Sequence, residues 1–145
     1  MAIYRHILLV VDLTGDSLAI GRKAQALAQA MGAEVELLHV VEFVPVEPMG
    51  ETLMPSVQME DELIGRAERR LQTLAAELGL SGAPCRVESG NVKSEIVRVA
   101  RERKADLIIL GSRERHGLSV LVNLTEDTVL HAAPCDVLAM RAGRS

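Results

Sequence analysis

Five short apolar runs recur along this chain, and stretches with helical spacing separate them. The first run, residues 6–12, reads HILLVVD and has apolar side chains at five consecutive positions. A run without polar alternation is typical of a parallel strand that is covered on both faces of its sheet. We predict the other strands at residues 34–42, 85–89, 105–112 and 134–141.

The stretches between these strands predict helices. Leucine and alanine recur at helical spacing in residues 18–31, and Gly32 ends that pattern. Residues 56–79 form a longer amphipathic pattern, a third helix begins after Asn91 at the N-cap position, and a fourth contains Thr128, Val129, Leu130 and Ala132. The charged face of the second helix is predicted to lie in solvent, with Glu60, Asp61, Arg66, Glu68, Arg69 and Arg70.

This alternation predicts an α/β fold with a doubly wound, Rossmann-like, five-stranded parallel sheet. For the strand order 3-2-1-4-5, a ligand crevice lies beyond the carboxyl ends of strands 1 and 4, where the order reverses. Asp12 ends strand 1 and Gly111 comes at the end of strand 4, so the two are expected to flank that crevice. The 145 residues are predicted to form a single domain, residues 1–145.

Charge and composition argue against several classes of partner. The formal net charge is -4, and the charged residues are mixed along the chain rather than massed in one block. Nucleic acid and anionic membranes need a concentrated basic face, and Tyr4 and Phe43 are too few aromatic residues for a base-stacking platform. No apolar run reaches the length of a membrane span, so we expect a cytoplasmic protein. The histidines and cysteines lack metal-ligand spacing, and no metal site is predicted.

The stretch after strand 4, LGSRERHGLSVLVNLT, has part of the composition of a phosphate-binding loop. Gly111 and Gly117 allow backbone N–H groups to approach an anion, and Arg113 and Arg115 offer charged donors. Glu114 places a negative charge where the anion would lie. These residues alone are compatible with a working phosphate cradle and with a degraded one.

Several motifs, in order along the chain, resemble those of the universal stress protein family. They are the strand endings VVDLTGDS and LLHVVE, the Gly-Asn start of the third helix, ADLIILGSRERHGLS, and HAAPCDVLAM. The resemblance covers nearly the whole chain and implies a fold like that of the adenine-nucleotide alpha-hydrolases.

The resemblance also implies where a nucleotide would bind. Asp12 matches the acid that contacts the ribose in the nucleotide-binding branch of the family, and Val40 matches the valine that contacts adenine. Asp12 has a second interpretation, because an acid just beyond a strand also serves as a turn or cap acceptor for the next helix. The candidate nucleotide-binding residues are Asp12, Val40, Gly111, Ser112, Arg113, Gly117 and Asn123.

The loop departs from the nucleotide-binding pattern, which reads G-x-x-G, then nine residues, then G-S or G-T. Glu114 stands where the second glycine is expected, Asn123 replaces the last glycine, and Leu124 replaces the hydroxyl residue. A leucine cannot donate a hydrogen bond to a phosphate. The loop therefore resembles that of the branch without ATP binding.

The last strand, residues 136–141, is predicted to be an apolar edge strand, and an exposed edge invites pairing with another chain. The family resemblance implies a homodimer through this strand. We interpret the protein as a homodimeric stress-response factor that needs no cofactor, contains no catalytic residues and acts through other proteins. The alternative is a switch that binds ATP or AMP in the crevice. ATP hydrolysis as a main activity is disfavoured, because no Walker-type lysine or magnesium carboxylate is visible.

Overall fold

A computed structural model of the protein describes residues 3–42, 54–112, 129 and 131–142. The elements, in chain order, are β1 (His6–Val10), α1 (Ser17–Met31), β2 (Glu34–Val41), α2 (Met54–Glu77), β3 (Cys85–Ser89), α3 (Val92–Glu102), β4 (Leu107–Ser112) and β5 (Asp136–Arg141). All strands belong to one parallel sheet with the order β3-β2-β1-β4-β5. The predicted fold class and strand order are confirmed.

The central strand β1 is buried on both faces. Ile7 and Leu9 pack with α1 and α2 on one face of the sheet, whereas Leu8 packs with α3 on the other. We refer to these as the α1/α2 face and the α3 face. Each of the three side chains is at most 2% exposed. Burial on both faces accounts for the unbroken apolar run that predicted this strand.

Two helix ends follow their sequence signals. Gly32 adopts the left-handed backbone conformation after α1 with φ 66°, and the N–H of Ala33 bonds to the carbonyl of Ala28 at 2.9 Å. At the start of α3, Oδ1 of Asn91 accepts a hydrogen bond from the backbone N–H of Ser94 at 3.0 Å. The predicted N-cap is confirmed.

Several boundaries differ slightly from the predicted ones. Four of the five strands are shorter than predicted by one or two residues at one end, and β1 ends at Val10 rather than at residue 12. Asp106, just before β4, accepts side-chain bonds from the N–H groups of Arg5 (2.8 Å) and His6 (3.0 Å), and its own N–H donates to the carbonyl of His6 at 2.9 Å. These bonds join the start of β4 to the start of β1.

Helix α2 begins two residues earlier than predicted and includes Pro55 in its first turn, where a missing N–H is tolerated. Its apolar stripe is buried as predicted at Ala67 and Leu71, but Leu63 is 38% exposed. In the predicted fourth helix, Val129, His131 and Ala132 are helical, and Thr128 and Leu130 lie outside the described residues.

Candidate functional site

The carboxyl ends of three strands bring predicted site residues to one edge of the sheet. Val10 of β1 lies beside Leu38 of β2 and Leu110 of β4 in the parallel register. Two residues further along these segments stand Asp12, Val40 and Ser112. The crevice predicted from topology therefore collects these three positions, with Gly111 adjacent. Arg113, Gly117 and Asn123 lie outside the described residues.

Asp12 lies two residues beyond β1, and its carboxylate organises the turn into α1. Its Oδ1 accepts hydrogen bonds from the backbone N–H of Thr14 (3.1 Å), the hydroxyl of Thr14 (2.7 Å) and the hydroxyl of Ser17 (3.1 Å). Ser17 is only 5% exposed, and its Oγ also accepts a bond from the Thr14 N–H at 3.1 Å. Asp12 thus has the turn-acceptor role that was one of its two interpretations. Contact with a ribose stays a prediction.

Side chains from two other elements hold the backbone on either side of Asp12. Nδ1 of His39 in β2 lies 2.7 Å from the carbonyl oxygen of Val11, which fits an Nδ1–H donor. Leu13 has a left-handed backbone with φ 59°, and its carbonyl accepts a hydrogen bond from Nη2 of Arg70 in α2. A left-handed leucine costs roughly 1–2 kcal/mol, so the surrounding contacts must hold it in place.

Sequence reasoning missed part of this support. The charged face of α2 was expected in solvent, yet Arg70 reaches the turn and Glu60 accepts a bond from the hydroxyl of Ser89 at 2.7 Å. Helical periodicity shows that these residues face away from the apolar stripe. It does not show that long side chains fold back over neighbouring loops. The polar run LTGDS, by contrast, did signal the turn.

Val40 is 7% exposed and belongs to the core on the α3 face, together with Leu38 and Val99. Most of its side chain is occupied by packing against α3. A ligand in the crevice would therefore meet only the edge of Val40 that faces the end of the sheet.

Gly111 lies within β4 beside Met140 of β5, and its α1/α2 face is closed by Ile20 of α1. A Cβ at position 111 would lie 2.6 Å from Cδ1 of Ile20, closer than two carbons can approach without a shift. Packing against α1 thus accounts for the glycine whether or not a ligand binds.

Among the described residues near this sheet, we find no metal cluster and no thiol with a lowered pKa. Cys85 and Cys135 are free and partly buried. Burial raises the pKa of both thiols, with smaller contributions from Glu36 at Cys85 and from Asp136 at Cys135. Within the described ranges, histidine, cysteine and acidic residues form no group of three that could hold a metal. In the same ranges, no helix combines the length and apolar character needed to cross a membrane.

The doubly wound sheet, with an acid-bearing turn at its carboxyl edge, defines an α/β protein of the Rossmann-like class. The family model described as Universal stress protein family matches residues 3–141. The chain therefore belongs to the universal stress protein family, as its motifs predicted.

Three of the similar proteins have nearly the same length as this chain. The chain is 34% identical over 139 residues to Universal stress protein A homolog 2 of Coxiella burnetii, with 95% of each chain covered. Among solved structures, the universal stress protein UspA from Lactobacillus plantarum is 25% identical with a TM-score of 0.77, and 97% of this chain and 100% of that one are covered. A universal stress protein solved in complex with cAMP is 21% identical with a TM-score of 0.70, covering 98% of this chain and 100% of that one.

Proposed function

We propose that this protein is a homodimeric, cytoplasmic stress-response factor that acts by associating with other proteins and catalyses no reaction of its own. In this proposal the loop after β4 is the relic of a phosphate cradle. Membership of the universal stress protein family supports the stress-response role. The observation that carries the proposal is the exposed apolar edge of the sheet at β5.

Strand β5 lies at one end of the sheet, where β4 is its only partner among the described strands. Leu138, in the middle of β5, is 37% exposed, and Ala139 beside it is also exposed. An apolar edge strand is a template for pairing with a second copy. Pairing about a two-fold axis would cover both copies of this edge in one isologous interface.

The matched test of the interface uses two leucines of nearly equal exposure. Leu138 on β5 is 37% exposed and Leu63 on α2 is 38% exposed. We expect Leu138→Lys to yield a monomer in sedimentation equilibrium, because two lysines would meet across the two-fold axis. Leu63→Lys should remain dimeric. A dimeric Leu138→Lys variant, or a monomeric wild type, would contradict pairing through β5.

The relic loop is tested by titrating ATP and AMP, with magnesium, into nucleotide-stripped protein in a calorimeter. We expect no heat of binding, since Glu114 adds negative charge to the loop and Leu124 offers no hydroxyl. Micromolar affinity for either nucleotide would overturn this part of the proposal.

A second candidate function is nucleotide binding in the crevice between β1 and β4. Two observations favour it: Asp12 and Val40 stand at the same level of the carboxyl edge, and a protein of the same fold was solved with cAMP. The nucleotide would take its ribose contact from Asp12 and its phosphate contacts from Ser112, Arg113, Gly117 and Asn123.

If the titration does show binding, Asp12→Asn tests this pose. The asparagine keeps an oxygen for the bonds to Thr14 and Ser17, so the turn should persist while the charge is lost. We expect the affinity to fall about tenfold, a loss of about 1.4 kcal/mol. Asp16→Asn, four residues along the same turn, is the matched control for loss of a carboxylate and should bind like the wild type. Equal affinities of both variants and the wild type would exclude this pose.

A further inference from the structure

A second cavity lies on the α1/α2 face, between the start of α1 and the middle of α2. It has a volume of about 340 Å³, which falls in the range of roughly 300–1,000 Å³ typical of small-ligand pockets. Leu13 and Leu74 in its wall belong to the α1/α2 core, whereas Val40 of the crevice belongs to the α3 core. The cavity is therefore separate from the proposed adenine contact.

We propose that this cavity binds a small organic anion with one anionic head group and a short apolar chain, such as an alkyl carboxylate or an alkyl phosphate monoester. Such binding requires neither a nucleotide in the crevice nor the dimer, although Thr14 and Ser17, which bond Asp12, also line this cavity.

The anionic group of this ligand is assigned to Arg69 and Arg70, which both line the cavity from α2. Their guanidinium groups present planar sets of donors that suit carboxylate and phosphate oxygens. Across the described ranges, neither arginine has a carboxylate within ion-pair distance. Nη2 of Arg70 donates to the carbonyl of Leu13, which is a neutral acceptor and does not cancel the charge of the guanidinium.

The apolar part of the ligand is assigned to the leucines of the wall. Leu13 and Leu74 are buried, Leu18 is partly buried, and all three border the cavity. They offer contact to an alkyl chain but no hydrogen bonds. A free inorganic anion would leave this surface unused, so an anion that carries a chain is the better fit.

The far end of the cavity limits the charge of the ligand. Glu77 lines it seven residues beyond Arg70, about 10 Å along the helix axis. A carboxylate there repels a second anionic group and accepts a bond from a hydroxyl or amine. Two arginines, leucines and a glutamate along one cavity therefore favour a ligand with one anionic head group over a polyphosphate.

Binding should be visible at the Asp12 turn, because Arg70 both lines the cavity and donates to the carbonyl of Leu13. An anion that engages Arg70 changes the surroundings of the Leu13 and Thr14 amides. These amides, with those of Thr73 and Leu74, are the reporters.

The test is NMR titration of the full-length protein with hexanoate, hexyl phosphate, inorganic phosphate and hexylamine. We expect saturable shifts of the reporter amides with hexanoate or hexyl phosphate, whichever head group the arginines prefer, and weaker binding of the other two probes. No saturable shift with either alkyl anion would overturn the proposal. Equal binding of hexylamine would also overturn the proposal, because it would show that the cavity recognises the alkyl chain and not the anionic group.

Two variants distinguish the effect of the arginine charge on binding from the effect of the cavity volume. Arg69→Gln should weaken the preferred probe about tenfold, or about 1.4 kcal/mol. Thr73→Phe, at an exposed position on the cavity wall, should fill the space and abolish binding with both arginines intact. Arg101→Gln, an exposed arginine on α3 across the sheet, is the control and should bind like the wild type. Unchanged affinity in Arg69→Gln or in Thr73→Phe would refute the assignment.

Discussion

Helices α1 and α2 approach each other closely at Gly21, and this contact gives the sharpest stability prediction. A Cβ added at Gly21 would lie 2.6 Å from Cδ1 and 3.0 Å from Cδ2 of Leu78. Leu78 is 3% exposed and packed in the α1/α2 core, so its side chain has little room to move. Gly65 in α2 is the matched control, because a Cβ there would meet only Nη1 of Arg69, at an ordinary 3.6 Å.

The two alanine substitutions should therefore have opposite signs. Replacing a helical glycine by alanine stabilises a helix by about 1 kcal/mol, and Gly65→Ala should show this gain. Gly21→Ala has the same gain but also overpacks the core, which typically costs about 1–3 kcal/mol. The expected net effect of Gly21→Ala is a loss of about 1 kcal/mol, so the two variants should differ by about 2 kcal/mol.

Urea unfolding followed by circular dichroism measures this difference. Both variants and the wild type are kept at one protein concentration, because the proposed dimer would make the free energy of unfolding depend on that concentration. Thermal midpoints should separate by roughly 6 °C. If Gly21→Ala raised the stability as much as Gly65→Ala, the Leu78 side chain would have moved without a cost in free energy. The overpacking at Gly21 would then be excluded.

Three further outcomes follow from single contacts. Asn91→Ala should cost about 1 kcal/mol of stability in urea unfolding, since it removes the cap bond to the Ser94 N–H, and an unchanged midpoint would show that water replaces the cap. Tyr4 donates to Asp136 at 2.8 Å, and that bond and the nearby negative charge raise the pKa of its phenol above 10.0. Folding therefore favours protonated Tyr4, and its contribution to the free energy of unfolding is lost as the pH rises above 10.0. Tyr4 is the only tyrosine and tryptophan is absent, so absorbance measures the titration of this phenol directly. Asp136→Asn should lower the pH at the midpoint of that titration. Arg98 forms ion pairs with three glutamates on β3 and α3. Arg98→Gln should therefore destabilise the protein at low salt and have a smaller effect at high salt. An effect that does not change with salt would point to packing instead.

The sequence predicted the architecture because its strands are buried on both faces. A run such as Ile7 to Val11, with helices of crossover length after each strand, fits few structures other than a strand inside a parallel sheet. The right-handed crossover rule then restricts the topology of that sheet. Local signals worked at Gly32 and Asn91 for a different reason, because there one residue and its immediate neighbours determine the backbone. Strand ends were less predictable, since they depend on the neighbouring strands as well as on the strand's own residues.

The location of the candidate site and the turn after Asp12 were predicted, but the contacts that hold this turn were not. The position of Asp12 and Val40 at one edge follows from strand order, but the turn contacts of Asp12 depend on a left-handed Leu13 that no residue pattern announces. The reach of Arg70 across to that turn depends on how α2 lies over the sheet. Such contacts join residues 57 positions apart and have no local signature.

Because β1 lies at the centre of the sheet, its two edges are covered at different times during translation. β1 is synthesised first, and β2 can cover one of its edges once residue 41 is available, but its other edge pairs with β4, which ends at residue 112. Until then the nascent chain presents an open apolar edge from Ile7 to Val10, to which a neighbouring chain on the same messenger can bind. The edge of β1 therefore stays open to pairing with another chain during translation, until the fourth strand has left the ribosome.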